Sequence, residues 1–271
     1  TAVSHEIAKL RRKLKKLDSS LSERRRQRAK SGALTVGLAG YTNVGKSSLF
    51  SSLSGKSVLI KNQLFSTLET TVGRMANQPR ILMVDTIGFI DNVPAELLDS
   101  FSATLQESLS CDMLLLLVDA SDEPEEIRRK LATSRRELFG RLDDGNSNNT
   151  LVVLTKIDLC TDEQLREAKE IVHFYSSFES SSVSSVTGQG IDELRARIMT
   201  MLHGPPIKIN VYPPKDDGDM GLVELVSRVY RETLVIGVEE DSNQTKISGW
   251  MDKANIARLM KDHPNQIQIS I

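Results

Sequence analysis

Residues 40–47 read GYTNVGKS, entered from the apolar run LTVGLA and followed by a helical pattern through Ser48, Leu49, Phe50 and Leu53. Two glycines and a lysine at the junction of a strand and a helix leave little freedom of local fold. Glycine lets the backbone curl so that successive N–H groups point inward, and the helix that follows adds the positive end of its dipole. Such a cradle suits phosphate oxygens. Gly40, Gly45, Lys46 and Ser47 satisfy G-x-x-x-x-G-K-[ST]. In that pattern the lysine reaches the outer phosphates and the serine hydroxyl ligates Mg²⁺. Tyr41, Thr42, Asn43, Val44 and Ser48 complete the loop and the first turn after it.

The rest of the chain fits the setting that such a loop requires. From Thr35 onward, apolar strand-like runs alternate with helical patterns. Strands are expected over 35–39, 80–84, 113–119, 151–154 and 182–186, with a further one over 72–75 before the second of these. Helices are expected over 46–53, 94–108, 123–139, 163–175 and 191–202. That alternation predicts an α/β fold, a mainly parallel sheet with helices on both faces. Gly204-Pro205-Pro206 stops the pattern. Beyond it, strands over 207–212, 233–238, 246–251 and 266–271 and helices over 220–231 and 252–260 make a β-α-β-β-α-β order, a small ferredoxin-like α+β domain. Trp250 and Met251 are expected to pack against its helices. The predicted divisions are 1–31, 32–203 and 204–271.

Three more motifs fall at strand ends, where open α/β sheets bind ligands. VDTIGF at 84–89 ends a strand in Asp-x-x-Gly. Asp85 would hold Mg²⁺ through water, and the Gly88 amide would contact the terminal phosphate. TKID at 155–158 follows LVVL. A carboxylate at Asp158 accepts from both N1–H and N2–H₂ of guanine, a pair of donors that adenine lacks, while Lys156 would lie over the base. Asparagine is the commoner residue at the position of Thr155, so a weaker tie to the phosphate loop is expected. Ser184, Ser185 and Val186 complete the base site, with the Ser185 amide near the guanine oxygen. The motif order 40, 85, 155, 184 predicts a site for GTP or GDP with Mg²⁺.

With these motifs in place, GYTNVGKSSLF, LFSTLETT (64–71) and DTIGFIDNVPAELLDSFSATLQES (85–108) resemble the translation-factor-related GTPases called HflX, and DTIGF with SFSATLQES resemble organellar members of that family most. The resemblance covers nearly the whole chain and implies a P-loop G domain, preceded by a basic coiled coil and followed by a small domain. It implies GTP hydrolysis, binding to the large ribosomal subunit, and a part in ribosome splitting, recycling or rescue. The family's N-terminal nucleotide-binding domain is absent from this sequence. The resemblance also makes Thr67 the switch threonine, contacting Mg²⁺ and the γ-phosphate, with Thr70 and Thr71 as rivals. Lys46, Thr67 and Gly88 become the catalytic set. Phe89 stands where other GTPases carry a water-orienting glutamine, so unaided hydrolysis is expected to be slow and partner-stimulated. Asn43 matches a position that helps to hold K⁺ in some relatives.

Charge and composition narrow the partners. Residues 1–30 carry eleven Lys and Arg against three acids, +8 within a chain of net charge −1. Ile7, Leu10, Leu14, Leu17 and Leu21 form an a/d seam on the same segment. A basic coiled-coil helix follows, the end of a longer helical domain, with residues 9–30 placed to meet rRNA. The chain opens on Thr1 with that pattern already running, and more sequence upstream is expected. The longest apolar run, 113–118, falls far short of the ~20 residues that cross a bilayer, so no membrane partner is expected. Cys111 and Cys160 are expected as buried, reduced thiols in a reducing compartment, cytoplasm or mitochondrial matrix. His5, His173, His203 and His263 lack metal-ligand spacing, and a monomer is expected. A signalling switch without RNA would not need the +8 flank, and an ATPase would not need Asp158.

Overall fold

The structure, a computed structural model, describes residues 32–55, 71–77, 79–85, 111–139, 149–176, 178–215, 220–241 and 243–270. Residues 1–31, the expected helix over 94–108, Thr67, Thr70, Gly88 and Phe89 lie outside these.

The first sheet is organised by β4 (Met113–Asp119), MLLLLVD, in which all seven residues are buried. A strand apolar on both faces must be covered on both. β1 (Leu34–Gly40) pairs parallel with it on one side, Gly40 opposite Leu117. β5 (Thr150–Thr155) pairs parallel on the other, Asp119 opposite Thr155. β2 (Thr71–Ala76), β3 (Ile81–Asp85) and β6 (Ser180–Ser182) complete the order β2-β3-β1-β4-β5-β6. α1 (Lys46–Ser54), α2 (Pro124–Phe139), α3 (Asp162–Ser176) and α4 (Ile191–His203) accompany it.

Side chains alternate across each strand. Leu114, Leu116 and Val118 of β4 join Val152 and Leu154 of β5 in a cluster closed by Ile127 and Leu131 of α2 and Ala168, Ile171 and Val172 of α3. Between them these contacts bury several aliphatic side chains, each contributing about 1.5–3 kcal/mol. The chain moves from β1 to β3 on one side and to β4 on the other. This reversal of strand order opens a crevice at the carboxyl ends of the strands, where Gly40, Asp85, Asp119 and Thr155 all lie.

Two sequence expectations need correction here. The strand expected over 182–186 lies earlier, at Ser180–Ser182, because the chain turns after it to use the Ser184 side chain within a loop. Of the two free thiols, Cys111 is buried but Cys160 is only partly so.

The second compact unit runs from Arg195 onward and takes in Ala76–Ile81. It contains β7 (Ile207–Val211), α5 (Leu222–Glu232), β8 (Thr233–Asp241), β9 (Gln244–Met251), α6 (Lys253–Asp262) and β10 (Ile267–Ser270). The strand order is β10-β7-β9-β8, with every neighbouring pair antiparallel. This is the β-α-β-β-α-β sandwich order. Ile209, Val211, Ile247, Met251 and Ile267 meet Leu225, Val229 and Leu259 of the helices. Trp250 follows a different course from the one expected. Its neighbour Met251 faces the helices, so alternation turns Trp250 to the other face, where its Nε1–H donates to Gly204 O at 3.0 Å.

Candidate functional site

The loop 40–47 is shaped by what its glycines permit. Gly40 has φ 149, and a Cβ there would meet Leu117 O at 2.7 Å. β4 passes too close for any side chain. Gly45 caps α1 with φ 94, a left-handed backbone that costs an L-residue about 1–2 kcal/mol. Asn43 is also left-handed, at φ 61, a conformation in which asparagine is the best tolerated residue after glycine. α1 has no acid in its first turn, so the N–H groups that a first turn leaves without helical acceptors meet no carboxylate of their own. The arrangement favours an anion.

Lys46 is buried, and its ammonium donates to Gly40 O at 3.1 Å and Tyr41 O at 2.7 Å. Burial pushes its pKa down to about 8, with the negative Asp85 acting in the opposite sense. A buried cation held by two carbonyls of the loop itself is a strong attractor for phosphate oxygens. The Tyr41 side chain does not face this cradle. It is buried in the core beside Ile127 and Leu131, with the Arg129 guanidinium carbon and Lys130 Nζ 5.6 Å and 5.7 Å from its ring centroid. Tyr41 therefore serves the loop through its carbonyl.

At the end of β3, Asp85 is fully buried and accepts from the Ser47 hydroxyl at 2.9 Å. A hydroxyl and a carboxylate oxygen side by side are hard donors of the kind Mg²⁺ takes, with phosphates and water filling its other positions. The donor set fits that ion.

The end of β5 supplies a third group. The Thr155 hydroxyl lies 2.7 Å from Val44 O and 3.2 Å from Val118 O. The tie to the phosphate loop, expected to be weak, is present and buried, because a β-branched hydroxyl on the last strand residue already points at the loop carbonyl. Lys156 is left-handed, φ 57, and Asp158 sits exposed in the short 3-10 turn Ile157–Leu159. Lys156 Nζ pairs with Asp119 Oδ2 at 2.6 Å, while Asp119 Oδ1 accepts from Ser121 N at 3.0 Å and Ser121 Oγ at 2.7 Å. None of the four sequence motifs includes Asp119. An acid closing an apolar strand, as Asp85 also does, was the available signal.

Ser184 is buried, and its hydroxyl accepts from Val186 N at 3.2 Å and Thr187 N at 3.1 Å. Its side chain therefore frames the loop, leaving Ser185 half-buried and Val186 exposed. The loop is anchored beside β5 by Val183 N donating to Leu154 O at 2.8 Å. Of the three threonine candidates, Thr71 opens β2.

Residues 35–156 match a family described as 50S ribosome-binding GTPase. A GTPase HflX of Methanocaldococcus jannaschii is 34% identical over 266 residues, 98% of this chain and 62% of that protein. The chain belongs to the HflX family of GTPases. An HflX of Thermofilum pendens is 38% identical over 201 residues, 74% of this chain and 47% of its own length. The chain thus spans about half to three-fifths of these HflX relatives. Among solved structures, an SsGBP and GDP complex shares 27% identity at a TM-score of 0.52, covering 74% of this chain and 61% of the other.

Proposed function

We propose that the chain binds GTP across the strand ends and hydrolyses it to GDP and phosphate. The observation that carries this reading is the hydrogen bond from Thr155 to Val44. It supports a single site in which the loop that would hold phosphate and the segment that would read the base are fixed together. Asp158 would accept from guanine N1–H and N2–H₂, the Ser185 amide would meet the guanine oxygen, and Lys46 with the amides of 43–48 would bind the β- and γ-phosphates. Ser47 and Asp85, with Thr67, would hold Mg²⁺, which when bound offsets charge on the phosphates. Lys46, Thr67 and the Gly88 amide would stabilise the charge that develops on the transferred group. Phe89 cannot orient water, so turnover of the chain by itself would be slow. Asn43 would help hold K⁺, a role that equal rates in K⁺ and Na⁺ buffers would refute.

The same proposal places the GTP-bound form on the large ribosomal subunit, in splitting, recycling or rescue, with hydrolysis driving release. The ribosome-binding description of the matched family and the basic residues 9–30 support this reading, and rRNA would meet that basic flank. Action as a monomer in the cytoplasm or mitochondrial matrix is part of the proposal. Co-sedimentation with large subunits tests it. Binding is expected with a non-hydrolysable GTP analogue, loss with GDP, and weakening as salt rises from 50 to 200 mM. Equal sedimentation with both nucleotides sinks the ribosomal reading, and a preference for ATP sinks the guanine reading.

A further inference from the structure

Lys156 and Asp119 sit at the ends of two adjacent parallel strands. The register sets Asp119 opposite Thr155, and Ala120 N donates to Thr155 O at 3.0 Å, stapling the two ends together. Lys156 Nζ then lies 2.6 Å from Asp119 Oδ2. The pair is built on both sides. On one side a non-glycine residue is held left-handed, φ 57, a conformation that persists where the surroundings enforce it. On the other, the second oxygen of a buried carboxylate takes both the amide and the hydroxyl of Ser121.

The consequence is chemical. An ammonium already paired with a carboxylate does not compete for phosphate or for the exocyclic oxygen of a base. The part of Lys156 left for a purine is its run of methylenes, an apolar strip that can lie against a ring face. A free lysine would have to give up rotamer freedom each time a nucleotide bound. One already tethered at its tip does not.

We infer that Asp119 is a positioning residue of the guanine site. It fixes the Lys156 stem against the face of the base, so nucleotide residence depends on a carboxylate that touches no nucleotide atom. The inference rests on residues 155–158 being the base site and deepens that reading. Discrimination between guanine and adenine stays with Asp158. Asp119 sets how long any purine accepted there remains.

Stopped-flow release of ribose-labelled fluorescent GDP, chased with unlabelled GDP, tests this on the full chain. The proteins are the unaltered chain, Asp119→Asn, Lys156→Met and the double variant. Asparagine keeps an acceptor for Ser121. Asp119→Asn is expected to release GDP about tenfold faster, and the equivalent inosine diphosphate by the same factor, because a stem on the ring face does not sense the 2-amino group. In the Lys156→Met background Asp119→Asn is expected to add nothing. Ser121→Ala, which leaves the charge pair intact, is expected to give a smaller acceleration that Lys156→Met also abolishes. Additive effects of Asp119→Asn and Lys156→Met, or an unchanged rate for Asp119→Asn, overturn the inference while GDP binding by the unaltered chain keeps the base-site reading intact. If the unaltered chain does not retain fluorescent GDP, the base-site reading itself falls.

Discussion

Ser47 and Asp85 are 38 residues apart in sequence, and the Ser47 hydroxyl donates to Asp85 Oδ2 at 2.9 Å. Neighbouring strands bring them together: β1 feeds the loop before Ser47 and β3 ends on Asp85, side by side in the sheet. If both hold Mg²⁺, Ser47→Ala should raise the Mg²⁺ needed for half-maximal hydrolysis about tenfold. It also removes a donor from a buried carboxylate, at a cost of about 1–2 kcal/mol. Phosphate release across a Mg²⁺ titration checks the first effect and urea unfolding the second. An unchanged Mg²⁺ requirement would remove Ser47 from the metal site.

Lys46 gives the site a pH dependence. Its pKa of about 8, lowered by burial, lies below that of an unfolded lysine, near 10.4. Between those values the unfolded chain carries a proton that the folded chain lacks, so this group makes stability rise with pH across that window. Nucleotide binding has the opposite sign. A triphosphate favours the ammonium and raises its pKa, so binding above pH 8 takes up a proton and affinity should fall towards tenfold per pH unit. Calorimetry in buffers of different ionisation enthalpy should detect that uptake near pH 8.5. Lys46→Met should abolish it.

The two loop glycines should fail in different ways. At residue 40 a methyl group would strike Leu117 O at 2.7 Å, whereas at residue 45 the nearest atom is 4.0 Å away and the obstacle is φ 94. Gly40→Ala is expected to cost about 2–4 kcal/mol, because backbone of β4 must move. Gly45→Ala should cost about 1–2 kcal/mol. Chemical denaturation ranks them, and the reverse order would contradict the steric argument.

Thr155→Val keeps the shape of the side chain and deletes its hydroxyl. It leaves Val44 O and Val118 O without that donor, a loss of about 1–3 kcal/mol for a buried acceptor. Release of GDP should accelerate by about an order of magnitude if the bond holds phosphate loop and base segment in register. An unaltered release rate together with lost stability would make the bond structural only.

Asp158→Ala tests base selection directly. Loss of an acceptor for two guanine donors should weaken GTP by about 10²-fold or more and leave ATP nearly unaffected. Competition of each nucleotide against fluorescent GDP measures the ratio. Equal weakening of both would place Asp158 outside base recognition.

Much of the site could be read in the sequence because its signals are local. A G-x-x-x-x-G-K-S run between an apolar strand and a helix allows few backbones, and β4 is legible from 113 to 119 because six consecutive apolar residues closed by an acid need cover on both faces. β6 was misplaced by several residues. SSSVSSV carries no periodicity, and its boundary is set by where Ser184 finds the amides of Val186 and Thr187. Trp250 was misassigned because two adjacent apolar residues leave open which one faces the helices until the register with β7 and β8 is known.

The chain's own residues thus determined the glycine loop 40–47, the alternating α/β order and the turn after β5 that carries TKID, since each follows from conformational limits within a few residues. Tertiary structure decided how they meet. It made Thr155 an adequate tether to Val44, gave Asp119 to Lys156, and turned the Tyr41 ring into the core. Each of these depends on which strands lie side by side and in what register, a long-range choice that burial of the β4 core fixes and no short stretch of sequence contains.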